Sequence, residues 1–299
     1  MILLKKMHKI ILRKVWYFLC TKILIFLSDY SFTQIYFFIH HLRFRFVYKP
    51  LNLFTPETFP EKINYIKLYK HNNFNTLLAD KLLVRDFIKE KIGKKYLIPL
   101  INHYDNFDDI NFDSLPHKFV LKTNHGSGMN YICENKYNIN YIDCKYKFEQ
   151  WMNINPYYLS REKQYKNIKP KIICEKYLGK NIYDYKVFCF DGQPKYIQVD
   201  VDRFTNHKRV FYNVKWERQN FSIIYDESEK NIKKPRQLSE LLKLSSILSS
   251  NLIFARTDFY IVQNQVFFGE ITLHPEGGNC TVIPKSSDHL LAKEIQSFK

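Results

Sequence analysis

Apolar residues recur at Leu77, Leu78, Leu82, Val84, Phe87 and Ile88, near the 3.6-residue period of a helix, and predict one helix over 76–91. Residues 61–69 and 236–250 read as helices too. Short β-rich runs occupy 118–123 (K-F-V-L-K-T) and 171–175 (K-I-I-C-E). Residues 185–190 and 195–201 flank Asp191-Gly192 and predict a hairpin. A second hairpin is predicted from Phe254–Val262 and 266–273, with Gln263-Asn264-Gln265 as its turn. Prolines between Pro50 and Pro60 place a boundary near 50–60. Helices and strands mix without a strict βαβ rhythm, so the fold class is α+β. There is no internal repeat.

The last hairpin carries the sharpest geometric expectation. If its turn centres on Asn264, opposed residues have numbers summing to 528. Asp258 then faces Glu270, and Arg256 faces Thr272. Strand side chains alternate, so Arg256, Asp258, Glu270, Thr272 and His274 share one side. Thr257, Phe259, Ile261, Phe267, Gly269, Ile271 and Leu273 share the other and suit a core. Two opposed carboxylates repel unless a cation lies between them. Oxygen ligands of this kind suit Mg²⁺ completed by waters and nucleotide phosphates. A solvated face on which Arg256 pairs with one acid is the plainer alternative.

Composition narrows the class. The chain has 299 residues, 45% apolar and 17% aromatic, enough for a packed core. Six cysteines without a C-x-x-C pair read as reduced thiols of a cytoplasmic protein. The net charge is +17, from 46 basic and 29 acidic residues. Residues 1–50 hold nine Lys/Arg against Asp29, a local +8. Their longest uncharged run, 30–42, is 13 residues, short of the roughly 18–20 that a spanning helix needs. No small-residue cleavage site follows the apolar run at 15–21, which argues against a signal peptide. One or two basic, aromatic-rich helices remain. They can lie on the anionic inner face of a membrane, pack on the main domain, or bind a partner. No nucleic-acid module is recognisable, so a nucleic-acid partner is not expected.

With only 8 glycines in the chain, four fall in two tight loops, Gly126/Gly128 and Gly277/Gly278. In Lys122-Thr-Asn-His125-Gly126-Ser127-Gly128 a strand and a lysine run into a small-residue loop. Its backbone N–H groups could converge on phosphate oxygens, with Lys122 adding a point charge. It is neither a P-loop nor a dinucleotide fingerprint. Downstream, Asp184 and Lys186 share a strand face.

In combination these stretches resemble the TupA-like ATP-grasp family of bacterial surface-polysaccharide gene clusters. The resemblance rests on T-P-E-T-F-P-E-K-I-N (55–64), L-A-D-K-L-L-V-R-D-F-I (78–88), F-V-L-K-T-N-H-G-S-G (119–128), Y-K-N-I-K-P-K-I-I-C-E-K-Y-L (165–178), D-Y-K-V-F-C-F-D-G-Q-P-K-Y-I-Q-V-D (184–200), D-R-F-T-N-H-K-R (202–209) and F-F-G-E-I-T-L-H-P-E-G-G (267–278). It implies an ATP-grasp fold, two α+β lobes gripping ATP, over 51–299 after a helical extension at 1–50. The lobes would fall at about 51–117, 118–180 and 181–299.

The resemblance also implies roles. Lys81 and Lys122 resemble the lysines that hold ATP phosphates, and His125, Gly126, Ser127 and Gly128 the loop that closes over them. Glu175, Lys176, Tyr177 and Leu178 resemble the adenine-recognising hinge, and Asp184 the acid on the ribose. Lys186 falls where related members place a base near the phosphates, and Thr205-Asn206-His207 resembles a T-N-H stretch there. Asp258 and Glu270 resemble the Mg²⁺ ligands, and Arg256 the arginine that steadies the reacting group. Thr272 departs from the asparagine common two residues after the metal-binding glutamate.

The implied activity is an ATP-dependent carboxylate–amine ligase, working through an acyl phosphate on a uronic-acid-type sugar carboxylate with an amine or amino-acid co-substrate. Arg203, His207, Lys208, Arg209 and His274 are candidates for gripping an anionic substrate. Two other readings stand beside it. One is a glycosyltransferase using Asp200 and Asp202 as a D-x-D. The other is a non-catalytic membrane-surface module built on the basic N-terminus.

Overall fold

The computed structural model describes residues 15–44, 49–180, 182–202 and 206–297. Its larger sheet has six antiparallel strands in the order β11-β10-β5-β6-β7-β8. These are β5 (Asp184–Phe190), β6 (Gln193–Val201), β7 (Lys208–Asn213), β8 (Arg218–Gln219), β10 (Phe254–Val262) and β11 (Gln265–Thr272). The central strand β5 is buried throughout, because helices cover both faces. One face packs Val187, Cys189, Ile197, Phe259 and Ile271 against Leu241 and Leu248 of the helix Leu238–Ser249. The other packs Phe188, Phe190, Phe211 and Phe254 against Phe59 and Ile63 of the helix Phe59–Tyr69. Asp184 and Lys186 lie on this second face by strand alternation. The face therefore changes from aromatic to charged along its length, and the charged end is the site.

The helix Phe59–Tyr69 starts two residues before the sequence reading. Thr58 caps it in a capping box with Glu61, and Pro60 sits in its first turn. The hairpin around Asp191-Gly192 forms as expected, with φ of 47° and 75° at the two turn residues.

The smaller sheet has the order β1-β4-β2-β3, all antiparallel: β1 (Leu100–Tyr104), β2 (Phe119–Thr123), β3 (Asn130–Cys133) and β4 (Ile172–Lys176). Phe119, Leu121, Ile172 and Cys174 pack against Cys144 and Phe148 of the helix Tyr141–Met152. Strand β1 pairs with β4, so residues from Leu100 onward take part in this sheet. Strands β3 and β7 and the helix Tyr141–Met152 have no counterpart in the sequence reading.

Two sequence expectations are corrected. The helix expected over 76–91 is two helices, Asn73–Ala79 and Val84–Lys91. Asp80 breaks it: its backbone is extended, and its carboxylate accepts from the N–H groups of Leu82 (2.8 Å) and Leu83 (3.2 Å). Lys81 stands in that break. The last hairpin turns on two residues, Gln263 and Asn264, with φ of 49° and 65°. Near the turn opposed residues therefore sum to 527, as in Phe259↔Phe268 and Val262↔Gln265. A β-bulge at Gly269 restores 528 for Asp258↔Glu270 and Arg256↔Thr272. Beyond the bulge the faces exchange, so Val266 and Phe268, rather than Phe267, join Phe259 in the core cluster.

The N-terminal segment packs on the body. Helix α1 (Asp29–Phe44) buries Phe32, Thr33 and Phe37. The guanidinium of buried Arg161 lies 4.2 Å over the Phe32 ring, and the Tyr157 hydroxyl donates to Asp29 at 2.8 Å. Gln34 and Leu51 exchange hydrogen bonds at 2.7 and 3.0 Å. Among the described residues no helix is long and apolar enough to cross a membrane.

Candidate active site

Asp258 is buried in the middle of the large sheet, with Lys186 opposite it on β5 and Glu270 opposite it on β11. Both its oxygens are bonded. Arg256 Nε reaches Oδ1 at 2.8 Å and Arg256 Nη2 reaches Oδ2 at 2.7 Å. Lys186 Nζ donates to the same Oδ2 at 2.7 Å, and also to Asp184. Arg256 Nη2 continues to Thr272 Oγ1 at 3.0 Å and Glu270 Oε1 at 3.5 Å. One guanidinium thus bridges the two acids. Burial works against the charges of Lys186 and Arg256, and pairing overcomes it. Asp184 and Asp258 hold the Lys186 ammonium above its usual range, and Asp258 does the same for Arg256.

The small sheet supplies cations from the other side. Lys122 on β2 pairs with Glu175 on β4 at 2.7 Å, and Arg85 takes the other Glu175 oxygen at 3.0 Å. Lys81 lies 4.0 Å from Glu270 and donates to the carbonyl of Gly126. Burial would raise the Glu270 carboxyl, yet Lys81, Arg256, Lys186 and Lys122 together bring it down to about 2. Desolvation pushes the Lys81 ammonium down from its usual value, with Glu270 opposing. Glu270 is the carboxylate on which both sheets converge their positive charge.

The loop at 124–128 is held by its polar side chains. Buried Asn124 donates to both Asp80 oxygens (3.0 and 3.1 Å) and to the Lys169 carbonyl, while its Oδ1 accepts from Lys171 N–H at 2.7 Å. The His125 ring faces inward, contrary to a place over phosphates. Its Nε2 lies 3.2 and 3.1 Å from the carbonyls of Trp151 and Ile154, and burial lowers its pKa. Gly126 is buried, and a Cβ there would press on Met129 at 3.2 Å and Pro156 at 3.3 Å. Ser127 and Gly128 are exposed at the loop tip, and Gly128 has φ of 72°. His125 is therefore the anchor of the loop, and Ser127-Gly128 are its accessible part.

The remaining candidates divide. Asp184 spends its carboxylate on Lys186, at the start of β5, and Glu175 spends its own on Lys122 and Arg85. Lys176 is exposed, while Tyr177 and Leu178 are half-buried; the Tyr177 hydroxyl donates to Glu134 at 3.2 Å. Asn206 is exposed at the head of β7; Thr205 and Arg203 lie outside the described residues. Arg209 is buried and committed to Asp200 (3.2 Å), the Ile223 carbonyl (2.7 Å) and Glu276 (2.7 Å). His274 is buried beside Gln164 at 3.1 Å. Arg209 and His274 are therefore internal braces, while His207 and Lys208 are half-buried.

The D-x-D reading is corrected here. Strand β6 ends at Val201, and Asp202 turns away with φ of 50° to pair with Lys230 at 2.8 Å. Asp200 is buried against His207, Arg209 and Gln198. The two acids do not share a strand face.

For a divalent cation the donor set is Asp258, Glu270 and Thr272, all oxygens and all on one side of the hairpin. That chemistry fits Mg²⁺, which takes one or two carboxylates and completes its shell with water and phosphate. Among the described residues no group of three or more His, Cys, Asp or Glu makes a closed metal cage. Sequence reasoning missed Arg85, Asn124 and Asp80. Two signals were available: Arg85 lies four residues after Lys81 in the segment that reads as one helix from sequence, and Asn124 sits between Lys122 and the glycines.

A search of curated proteins finds no match. Solved structures with some likeness include the L-amino acid ligase from Bacillus licheniformis, 11% identical with a TM-score of 0.45, covering 81% of this chain and 55% of that one. D-alanine–D-alanine ligase from Bacillus anthracis, complexed with ATP, is 16% identical with a TM-score of 0.42, covering 66% and 55%. N5-carboxyaminoimidazole synthetase from Staphylococcus aureus is 17% identical with a TM-score of 0.43, covering 75% and 53%. The chain spans a little over half the length of these three structures. The profile of the TupA-like ATPgrasp family matches residues 61–296, and the chain belongs to that family.

Proposed function

We propose that the protein is an ATP-dependent carboxylate–amine ligase that activates its carboxylate as an acyl phosphate. The observation that carries this reading is the convergence of Lys122, Lys186 and Arg256 from two sheets, and of Lys81 from the break between two helices, on the Asp258–Glu270 pair. Bringing a carboxylate to a triphosphate is a problem of anion repulsion. Four cations in a cleft of low dielectric address it by positioning and charge neutralisation.

Asp258, Glu270 and Thr272 would hold Mg²⁺, whose chemistry is to neutralise phosphate oxygens. Lys122 on the small sheet and Lys81 in the interhelical break would bind the phosphates. Lys186 and Arg256, which here balance the two acids, would orient the transferring phosphoryl group and the carboxylate that attacks it. Ser127 and Gly128 would close over the phosphates and exclude water, which protects a labile acyl phosphate. The attacking carboxylate oxygen forms the new P–O bond and ADP leaves. The amine then attacks the acyl carbon, loses a proton and expels phosphate.

The finer reading is a uronic-acid-type carboxylate of a surface polysaccharide or its precursor, joined to an amine or amino acid. Its support is the likeness of the quoted stretches to the polysaccharide-cluster family. Of the described candidate anion grips, half-buried Lys208 remains in position to serve, while His207 is turned to Asp200 at 3.3 Å. The test is incubation of the protein and a polysaccharide extract with labelled ATP or labelled UDP-sugars, with hydroxylamine added to trap an acyl phosphate. ADP and a hydroxamate are expected with ATP. Sugar transfer from a UDP-sugar without ATP consumption would remove the ligase reading.

A further inference from the structure

The turn His274-Pro275-Glu276-Gly277-Gly278 that follows β11 carries a carboxylate that the metal hairpin does not use. Glu276 has a left-handed backbone, with φ of 54° and ψ of 28°, and Gly277 and Gly278 follow with φ of 67° and 94°. Glycine adopts that region freely, whereas a glutamate does so at a cost. The turn is clamped from behind. Lys67 Nζ donates to the Gly277 carbonyl at 2.9 Å, and Asn64 Nδ2 donates to the Gly278 carbonyl at 2.8 Å. A Cβ at Gly278 would collide with the Asn64 amide, and one at Gly277 would come within 3.3 Å of Ser160 and 3.4 Å of the Tyr36 ring on α1. The two glycines thus let the backbone press on its supports.

The register of the large sheet shows what Glu276 meets in front. Asp258 pairs with Lys186, Lys186 with Gln198, and Asp200 with Arg209, so one polar row crosses β10, β5, β6 and β7 on a single face. Arg209 Nη2 donates to Glu276 Oε1 at 2.7 Å, which sets the carboxylate over the β7 end of that row. Burial would raise its carboxyl, but Arg209 and then Arg256 bring it below the usual value. It is an anion within electrostatic reach of Arg256. Exposure separates it from the other acids of the cleft. The side chains of Asp258, Asp184, Asp200 and Glu175 are 8% exposed or less and are paired with cations. Those of Glu270 and Glu276 are each 30% exposed. Glu270 belongs to the metal hairpin, and Glu276 is the open carboxylate beyond it.

We propose that Glu276 receives the amine co-substrate, binding it as an ammonium and selecting it over uncharged nucleophiles. A cleft lined by Lys81, Lys122, Lys186 and Arg256 suits a carboxylate and a triphosphate, and repels a second substrate that arrives positively charged. An open carboxylate near Arg256 gives that substrate a charge-assisted hydrogen bond next to the acyl group it must attack. The assignment rests on the ligase reading, which places that acyl group at Arg256.

The test supplies the full chain with ATP, Mg²⁺ and the polysaccharide extract at neutral pH. The nucleophile is either ethanolamine, an ammonium there, or methoxyamine, which is uncharged. ADP release gives a KM for each, and mass spectrometry identifies the amide or the O-methyl hydroxamate. In the wild type the KM for ethanolamine should be about tenfold or more below that for methoxyamine. Glu276→Gln can still accept from Arg209. It should raise the ethanolamine KM about tenfold or more and the methoxyamine KM less than about threefold. Glu276→Asp keeps the charge and should recover part of the loss. A merely structural role would move both KM values alike. The proposal is overturned by equal or reversed KM values in the wild type, a comparison that needs no variant to fold. It is also overturned by equal changes of both KM values in Glu276→Gln. ADP and O-methyl hydroxamate without the ethanolamine amide would remove this assignment and leave the ligase reading standing. No ADP with either nucleophile would remove both.

Discussion

Glu270 faces Asp258 because Gly269 is an extra residue in its strand. The two-residue turn at Gln263-Asn264 alone would set Asp258 opposite Gly269 and turn Glu270 toward the core side. A Cβ at Gly269 would come within 3.1 Å of both the Asp258 carbonyl and the Tyr260 ring. Gly269→Ala should therefore cost about 1–2 kcal/mol of stability and reduce ATP consumption at least tenfold. Deleting Gly269 removes the bulge and brings Glu270 into the paired position opposite Asp258, so the two acids keep one face and ATP consumption should be retained. Urea melts and ADP release check both. Loss of activity in the deletion variant at unchanged stability would show that the bulge does more than set the register of the two acids.

Glu270 and Asp258 should respond differently to loss of charge. Glu270 is part-exposed and receives long-range attraction from four cations. Glu270→Gln removes a metal donor but leaves the positive field for phosphates stronger. We expect ATP hydrolysis or coupling to fall at least a thousandfold, while ATP binding measured without Mg²⁺ is kept or tightened. Asp258→Asn instead leaves Lys186 and Arg256 short of a buried partner and should cost about 3–5 kcal/mol as well as activity. Calorimetric titration with ATP, with and without Mg²⁺, separates the two. Near wild-type turnover in either variant would remove the metal assignment.

The sequence carried the pairing of the last hairpin further than it carried its turn. The Asp258–Glu270 opposition was read correctly from a turn that is wrong by one residue. A three-residue loop and a two-residue loop plus a bulge give the same parity, and parity is all that face assignment uses. Gly269 was legible as a strand glycine but was placed on the core face as a plain member of the alternation. The break at Asp80 was hidden because leucines on both sides keep helical spacing, and the competing force is local: a carboxylate capping two N–H groups. His125 looked like a phosphate ligand because it precedes two glycines. Nothing in the local sequence shows that the carbonyls of Trp151 and Ile154, 26 and 29 residues away, capture its ring.

His125 gives a pH signature. Burial lowers its pKa from the ordinary 6.5, so the native state holds the neutral ring. A group depressed in this way stabilises the fold above its unfolded pKa. That contribution is lost as pH falls below 6.5 through the native value. Stability of the wild type should drop between pH 7.5 and 5.5. His125→Gln keeps a donor for the two carbonyls without a titrating group and should flatten part of that drop; His41, His71 and His274, also lowered by burial, supply the rest. Denaturant melts across this range test it, and identical slopes for wild type and variant would show that His125 is not the neutral anchor.

The two aspartates of the D-x-D give the cleanest separation of ligase from glycosyltransferase. Asp202 is exposed, ion-paired with exposed Lys230, and in a left-handed conformation that asparagine also tolerates. Asp202→Asn should change stability by no more than about 0.5 kcal/mol and leave ATP consumption unaltered. Asp200 is the opposite case. Burial would raise its carboxyl, but His207 and Arg209 hold it well below the usual range. Asp200→Asn leaves the buried Arg209 with one fewer counter-charge, and should cost about 3 kcal/mol through the β6–β7 pair rather than through metal binding. A nucleotide-sugar enzyme built on this motif would instead lose sugar transfer in both variants, with Asp202→Asn the more telling because it leaves the fold undisturbed. Assays with ATP and with UDP-sugars on the same two proteins decide between them. Loss of a UDP-sugar-dependent activity in Asp202→Asn would transfer the active site from the Asp258–Glu270 hairpin to the end of β6.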